Sequence, residues 1–540
     1  MPESAAARKT AVMSKRILLP VSRRTLLGGA ASAGVLAFAA CAPRGGADSS
    51  LLRAAIDTEP DSLDPLKGQF AASALLYKQL HAPLTEYSPS GGLAPGLAQS
   101  WRSEDGRIWR FRLAEGLQWS DGMPLTADDV VWTAQRAVDP RTGFANLGDF
   151  FAVRGARAAL AGRAPASEIG VTAPDARTII FELDTPVGAF PVLMREFYPL
   201  PRHVIEARGD RWVRPENWVS AGPYILRQAS ALTYLLARNP RFHAAGSVSI
   251  ETVRVDVVED EATRARLFRS GDLDLADRPP PEQIGFLRRE IGDRLHGFDA
   301  PILTYLKLNH RRPGLNDVRV RRAISLAVDR QFLAENFFSG EATPTIHVIT
   351  AQALEENGQT APGPDREAAR ALLAEAGYGP DSPLRLVLRV SSGSRERIAI
   401  AIADDLRSAG LDIDILSSYP HDINQAVAGG EFDMTLGYFN RGLKSEPDFM
   451  LEPFAPGGFA DDTGWSGPGR TRFAQLMEDA RGRVSRSERI AVHREAEAVF
   501  LEEQCNVPLL HERAFWMISD RVRRRDANLQ PQLWRDLSLG

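Results

Sequence analysis

Residues 108–132 read IWRFRLAEGLQWSDGMPLTADDVVW. Trp109, Phe111 and Leu113 alternate with Arg110 and Arg112, the period-two pattern of a strand with one apolar and one basic face. Ala114-Glu115-Gly116 turns the chain, and Ser120-Asp121-Gly122 turns it again. Thr126 then opens a helix, with Asp129 three residues on as a capping-box variant. Val130, Val131, Ala134, Ala137 and Val138 supply its buried side until Asp139-Pro140 ends it. Three acids among Trp109, Trp119 and Trp132 could pass for the acid pair of a hydrolase. Each has a structural role instead: Asp121 in a turn, Asp129 in a cap, and Asp128 in the first helical turn, where negative charge suits the helix dipole. The stretch predicts a strand–turn–helix unit, not a catalytic site.

The same alternation of strand and helix continues on both sides, as in an α/β protein. Leu51–Ile56, Ile179–Leu183 and Thr252–Val258 read as strands, and Ser73–Leu80 and Asp260–Ser270 as helices. The best helix follows Asp317, a plausible N-cap, with Val320, Ala323, Ile324 and Ala327 on one apolar stripe. Its arginines are expected to form a solvated face. The 540 residues are 44% hydrophobic and 25% charged with a net charge of −4, which suits a soluble protein of several domains and gives no reason to expect nucleic acid. No His-Glu-x-x-His, Cys-x-x-Cys, Gly-x-Ser-x-Gly, phosphate-cradling loop or dinucleotide fingerprint occurs. Their absence weakens the case for an enzyme without excluding an acid-pair hydrolase, and no cofactor or metal is expected. Two cysteines, Cys41 and Cys505, make no disulfide framework, and Cys505 reads as a buried small hydrophobe.

The N-terminus carries an export pattern. Arg23-Arg24 precedes the apolar run Leu26–Ala40, which is too short for a comfortable membrane span and reads as a twin-arginine signal. Phe38-Ala39-Ala40-Cys41 resembles a lipoprotein processing box, and residues 42–50 form a flexible tether. Ala37-Phe38-Ala39 would equally serve ordinary signal peptidase. Lipidation of Cys41 is the favoured expectation.

One resemblance spans essentially all of 51–540. Gln99-Ser100-Trp101-Arg102-Ser103-Glu104-Asp105-Gly106, Trp109-x-Phe111-x-Leu113 and Gly116-Leu117-x-Trp119-Ser120-Asp121-Gly122-Met123-Pro124-Leu125-Thr126-Ala127-Asp128-Asp129-Val130 are similar to the signature block of the family 5 extracytoplasmic solute-binding proteins, the oligopeptide, dipeptide and nickel receptors of ABC importers. Glu59–Pro65, Ala221-Gly222-Pro223-Tyr224, Arg238-Asn239-Pro240, Arg269–Asp274, Tyr305–Asn309, Glu375–Tyr378 and Val507-Pro508-Leu509 resemble further family elements in the same order.

The resemblance implies an α/β, two-lobed type II periplasmic-binding-protein fold with an extra inserted domain in the first lobe. After the export signal (1–40) and tether (41–50), lobe one would comprise 51–90, 198–300 and 506–540. The inserted domain would be 91–197, and lobe two 301–505. Hinge strands are expected near Pro301–Leu308 and Cys505–Leu510. The function implied is capture of a peptide or peptide-like solute between the lobes, by a monomer in the periplasm or cell envelope, for delivery to permease subunits. By the same resemblance Gln69, Phe70 and Ala71 would pair a backbone edge with ligand, Tyr305 and Lys307 would face the cleft, and Tyr438, Phe439, Asn440 and Arg441 would line it. Where peptide receptors carry an acid for the ligand's α-amino group, Gly442 or Leu443 stands here, beside Arg441 and Lys444. This departure raises an alternative: an anionic ligand (opine, sugar phosphate or metal chelate), gripped by guanidinium hydrogen bonds. The competing expectation pairs these cations with Asp433 and Glu446. An exported hydrolase is the remaining alternative.

Overall fold

The computed structural model describes residues 50–540 except 88–91, 143–149, 151, 355, 357–360, 393, 442–445 and 528–529. The export arginines Arg23 and Arg24, Cys41, and the departure at Gly442, Leu443 and Lys444 lie outside the described residues.

The opening stretch folds as its pattern dictates. Strand Ile108–Leu113 buries Trp109, Phe111 and Leu113 and exposes Ile108, Arg110 and Arg112. Helix Ala127–Ala137 starts with a capping box between Thr126 and Asp129, in which the Thr126 N–H donates to Asp129 at 2.9 Å. Asp121 accepts from the Met123 N–H in its turn and meets His203 at 2.7 Å. The strand joins a four-stranded antiparallel sheet in the order Ala98–Arg102, Ile108–Leu113, Thr178–Glu182, Val171–Asp175.

An 11-stranded mixed sheet organises the rest. Its order begins Asp412–Ser418, Arg385–Ser391, Met434–Asn440, then two long strands, Leu295–Leu308 and Asn506–Ile518. It continues Leu275–Asp277, Leu51–Ile56, Thr252–Val257, Thr233–Arg238, Tyr224–Ala229, and Thr343–Pro344 adds to the free edge of Asn506–Ile518. The two long strands pair with each other along their length, with a register break between Asp299 and Leu303. On one side of the break Leu295 and Phe298 pack in the first-lobe cores. On the other, Leu303 and Tyr305 pack in one second-lobe core and Leu306 and Leu308 in another. These strands are thus the connection between two separately packed bodies.

The first-lobe core does not stop at the inserted segment. Leu52, Leu76 and Trp212 share one apolar cluster with Phe111, Phe181 and Val130. The Arg136 guanidinium from helix Ala127–Ala137 is paired with the buried Asp64 at 2.6 Å, fastening the insertion to the lobe. The insertion also reaches lobe two. The Gly188 N–H donates to the Arg481 carbonyl at 2.8 Å, and Ala189 and Val192 pack on Phe449. A Cβ on Gly188 would stand 1.6 Å from the Arg483 carbonyl oxygen, so only glycine permits this approach.

Helix Val318–Ala327 has its expected N-cap, with Asp317 accepting from Arg319, and buries Val320, Ala323, Ile324 and Ala327. The arginines divide: Arg319 and Arg322 lie at the surface as expected, but Arg321 and Arg330 do not. Arg321 is buried and donates to the carbonyls of Leu315 and Glu503, while the following Arg330 donates to Pro508 and Ser325 carbonyls. Both donate to backbone carbonyls in the interior. Cys505 is a free, buried thiol, its pKa driven well up by burial.

Candidate ligand-binding site

In sheets with parallel strands, ligands bind beyond the carboxyl ends. In lobe one Leu51–Ile56 runs parallel to Thr252–Val257 and Leu275–Asp277, so Asp57 and Arg278 follow strand ends. In lobe two Arg385–Ser391 runs parallel to Asp412–Ser418 and Met434–Asn440, which brings Tyr419 and Arg441 to the ends there, with Arg395 in the first turn of helix Ser394–Ser408.

Strand Met434–Asn440 has an asymmetric edge. It pairs with the first hinge strand from Met434 to Asn440, but with Arg385–Ser391 only at Met434 and Thr435. The Arg441 N–H donates to the Pro301 carbonyl. Because antiparallel strands alternate the direction of their backbone groups, Phe439 and Gly437 also face the hinge, whereas Tyr438 and Leu436 face away. Among the described residues no strand pairs with that outer edge beyond Thr435.

Side chains of both lobes gather beside it. Tyr438 is 43% exposed, and the Arg395 guanidinium lies 4.1 Å over its ring. Arg395 also donates to Thr304 at 3.2 Å and stands 3.6 Å from Glu512, which itself accepts from Thr304. Burial pushes the Tyr438 phenol up; Glu512 adds to this, and Arg395 and the first-lobe Arg278 oppose it. Arg278 pairs with Asp57 at 2.8 Å and Asp277 at 3.1 Å. Its φ of 48° is left-handed, costing about 1 kcal/mol, and its N–H and C=O are held by Phe515 and Arg264. Tyr419, at the end of the outermost strand, is 75% exposed.

The expected site residues divide. Phe70 is exposed at the N-cap of helix Ala71–Leu80, and Gln69 and Ala71 are exposed with it. The Gln69 and Phe70 N–H groups are already taken by the Asp61 carboxylate, at 2.7 and 3.2 Å. Tyr438 and Asn440 point outward from their strand. Tyr305, Lys307 and Phe439 do not: all three are buried, which corrects the expectation that Tyr305 and Lys307 face the cleft. Tyr305 and Phe439 pack with Phe454, and the Tyr305 ring fills the space over Gly437. Lys307 is bound by both oxygens of Asp462, at 2.7 and 2.8 Å. Arg441 pairs with Glu452 at 2.9 Å, so of the cations expected to grip an anion the two described ones, Arg441 and Lys307, are engaged, though not by Asp433 and Glu446. Those pair with Arg312 and with Arg486 and Arg489. Arg395, Glu512, Arg278 and Tyr419 went unnoticed in the sequence. For Arg278 and Tyr419 the position just past a parallel strand's end was the one available signal; Arg395 and Glu512 carried none. Among the described residues no group of three His, Cys, Asp or Glu could hold a metal.

Two lobes joined by paired strands, with an open backbone edge on the second lobe, form the architecture of a solute receptor. Residues 92–461 match the bacterial extracellular solute-binding proteins, family 5, and the chain belongs to that family, the extracytoplasmic receptors of ABC importers. It is 34% identical to the probable deoxycholate-binding periplasmic protein YgiS of Escherichia coli over 64% of this chain and 67% of that one. It is 28% identical to the periplasmic oligopeptide-binding protein OppA of the same organism over 89% and 90%. Among solved structures, the murein tripeptide-binding protein MppA in its unliganded open form superposes with a TM-score of 0.80 at 25% identity, covering 91% of this chain and 98% of that one. A second structure, of the Escherichia coli MppA, gives 0.73 over 91% and 99%, also at 25% identity. The location is extracytoplasmic, and no helix among the described residues is long and apolar enough to cross a membrane.

Proposed function

We propose that this receptor binds a peptide or peptide-like solute in extended form between its lobes and passes it to its permease. The carrying observation is the outer edge of Met434–Asn440, paired on the hinge side only beyond Thr435. An extended ligand adds a strand to such an edge, taking affinity from backbone bonds and specificity from the side chains around it. Closure follows because only the closed state contacts the ligand from both lobes. OppA and MppA are named for peptide ligands, which supports the assignment.

A specific observation favours a second ligand class. Arg395 is held by a longer, 3.6 Å contact to Glu512 and is partly open beside Tyr438. It therefore replaces Arg441 and Lys307 as the candidate anchor for a carboxylate, and the likeness to YgiS, named for deoxycholate, points the same way. Calorimetric titration separates the two. Unmodified peptides are expected to bind, and Arg395→Ala to weaken carboxylate-dependent binding by about tenfold, the worth of one charge-assisted hydrogen bond. Binding of deoxycholate but of no peptide would sink the peptide assignment. Export through Arg23-Arg24 and lipidation of Cys41 belong to the same proposal, and the intact mass of the exported protein tests them: an unacylated N-terminus other than Cys41 rules the anchor out.

A further inference from the structure

A cavity of about 630 Å³ lies outside the cleft. It opens beside Thr343–Pro344, on the edge of the second hinge strand where that segment pairs with His511 and Leu510. Both hinge strands therefore stand between it and the outer edge of Met434–Asn440. Glu512 lies at the boundary, lining the cavity while accepting from Thr304 beside Arg395.

The charges in its wall are unevenly matched. Arg494 is paired with Glu356, and Arg513 with Asp299 and Glu341. Glu497, on helix Arg486–Glu502, is 5% exposed. One of its oxygens accepts from the N–H groups of Val348 and Ile349 at 2.7 and 2.8 Å. The other stands 3.4 Å from His347 Nδ1. Among the described residues no lysine or arginine pairs with it; its one ionisable partner is His347, which is charged only when protonated. The two N–H groups stabilise one oxygen of this buried carboxylate, while the other has only the longer imidazole contact and gains most from a further cationic donor. Ile349, Leu354 and Leu501 supply apolar wall in the same cavity.

We propose that this cavity is a second binding site, for a small organic cation. An amine or guanidinium would meet Glu497, and its hydrocarbon stem would lie on Ile349, Leu354 and Leu501. An anion would face the same buried carboxylate unscreened, and a metal ion would find too few ligands. Asp299 and Arg513 of the hinge strands form part of the wall, so an occupant touches the segment that bends when the lobes move. Its affinity is then linked to lobe closure, and by thermodynamic reciprocity the cleft ligand alters cation affinity by the same factor.

Titration of the purified receptor with cadaverine and, separately, with glutarate tests the proposal by calorimetry. Cadaverine is expected to bind and glutarate not. Glu497→Gln, which keeps an acceptor oxygen for Val348 and Ile349, should weaken cadaverine by about tenfold or more. Leu501→Trp should abolish binding by filling the cavity, and decides the matter if Glu497→Gln fails to fold. Absence of cadaverine binding, equal binding by the Leu501→Trp or a folded Glu497→Gln protein, or its loss in Arg395→Ala, which would move the amine into the cleft, overturns the proposal.

Discussion

At the scale of single residues, the histidines shape how the protein meets acid. Burial depresses the pKa of His81, His310 and His511 to about 4 each, against about 6.5 in the unfolded chain. The unfolded state therefore binds more protons between these values, and stability falls as pH drops from about 6.5 towards 4, by up to about 1.4 kcal/mol per pH unit for each group. His347 acts in the opposite sense, because Glu497 raises its pKa; the stability it contributes is present at low pH and lost as pH rises through the folded value. Burial lowers the pKa of His243 and His296 as well, so with five histidines lowered and one raised the net expectation is a loss. Urea midpoints at pH 7, 6 and 5 should decline steadily, and a flat series would contradict the assignment of these histidines as neutral. The same scale shows where side-chain roles escaped the sequence. Tyr305 and Lys307 were placed on the right strand but the wrong face: period two sets them opposite Thr304, and it is Thr304 that meets Glu512 and Arg395.

At the scale of elements, much was legible because local signals agreed. In Ile108–Leu113 alternation, flanking turns and the cap that follows all specify one arrangement. Asp317 and the stripe behind it behaved likewise. The outer edge of Met434–Asn440 was not legible, since it depends on where a neighbouring strand, far away in sequence, stops pairing. The burial of Arg321 and Arg330 was hidden for a similar reason: the carbonyls they serve, at Glu503 and Pro508, arrive from the C-terminal end of the chain. The seam at Gly188 offers a test at this scale. Gly188→Ala places a methyl group against the Arg483 carbonyl, and backbone on both sides leaves little room to yield. The insertion and the helix Pro468–Gly482 should separate locally, at a cost of about 1–3 kcal/mol, seen as faster amide exchange at Gly188. Unchanged exchange there would mean the seam is not formed in solution.

At the scale of the whole molecule, the cores are distributed unequally. The inserted four-stranded sheet shares one apolar cluster with lobe one, whereas lobe two carries its own two. Unfolding without ligand is expected in two stages, and a ligand bridging the lobes should merge them by stabilising both. Scanning calorimetry with and without ligand checks this; a single transition in both conditions would refute it. The shared cluster also decides what an optical probe can see. Of the nine tryptophans, Trp465 alone packs in a second-lobe core, while Trp109, Trp119, Trp212, Trp218, Trp516 and Trp534 pack in the common first-lobe cluster and Trp101 and Trp132 lie against it. Intrinsic emission will therefore report the melting of lobe one and its insertion as a single event and will be nearly blind to lobe two. A label must be placed in the second lobe before the receptor's two halves can be watched apart.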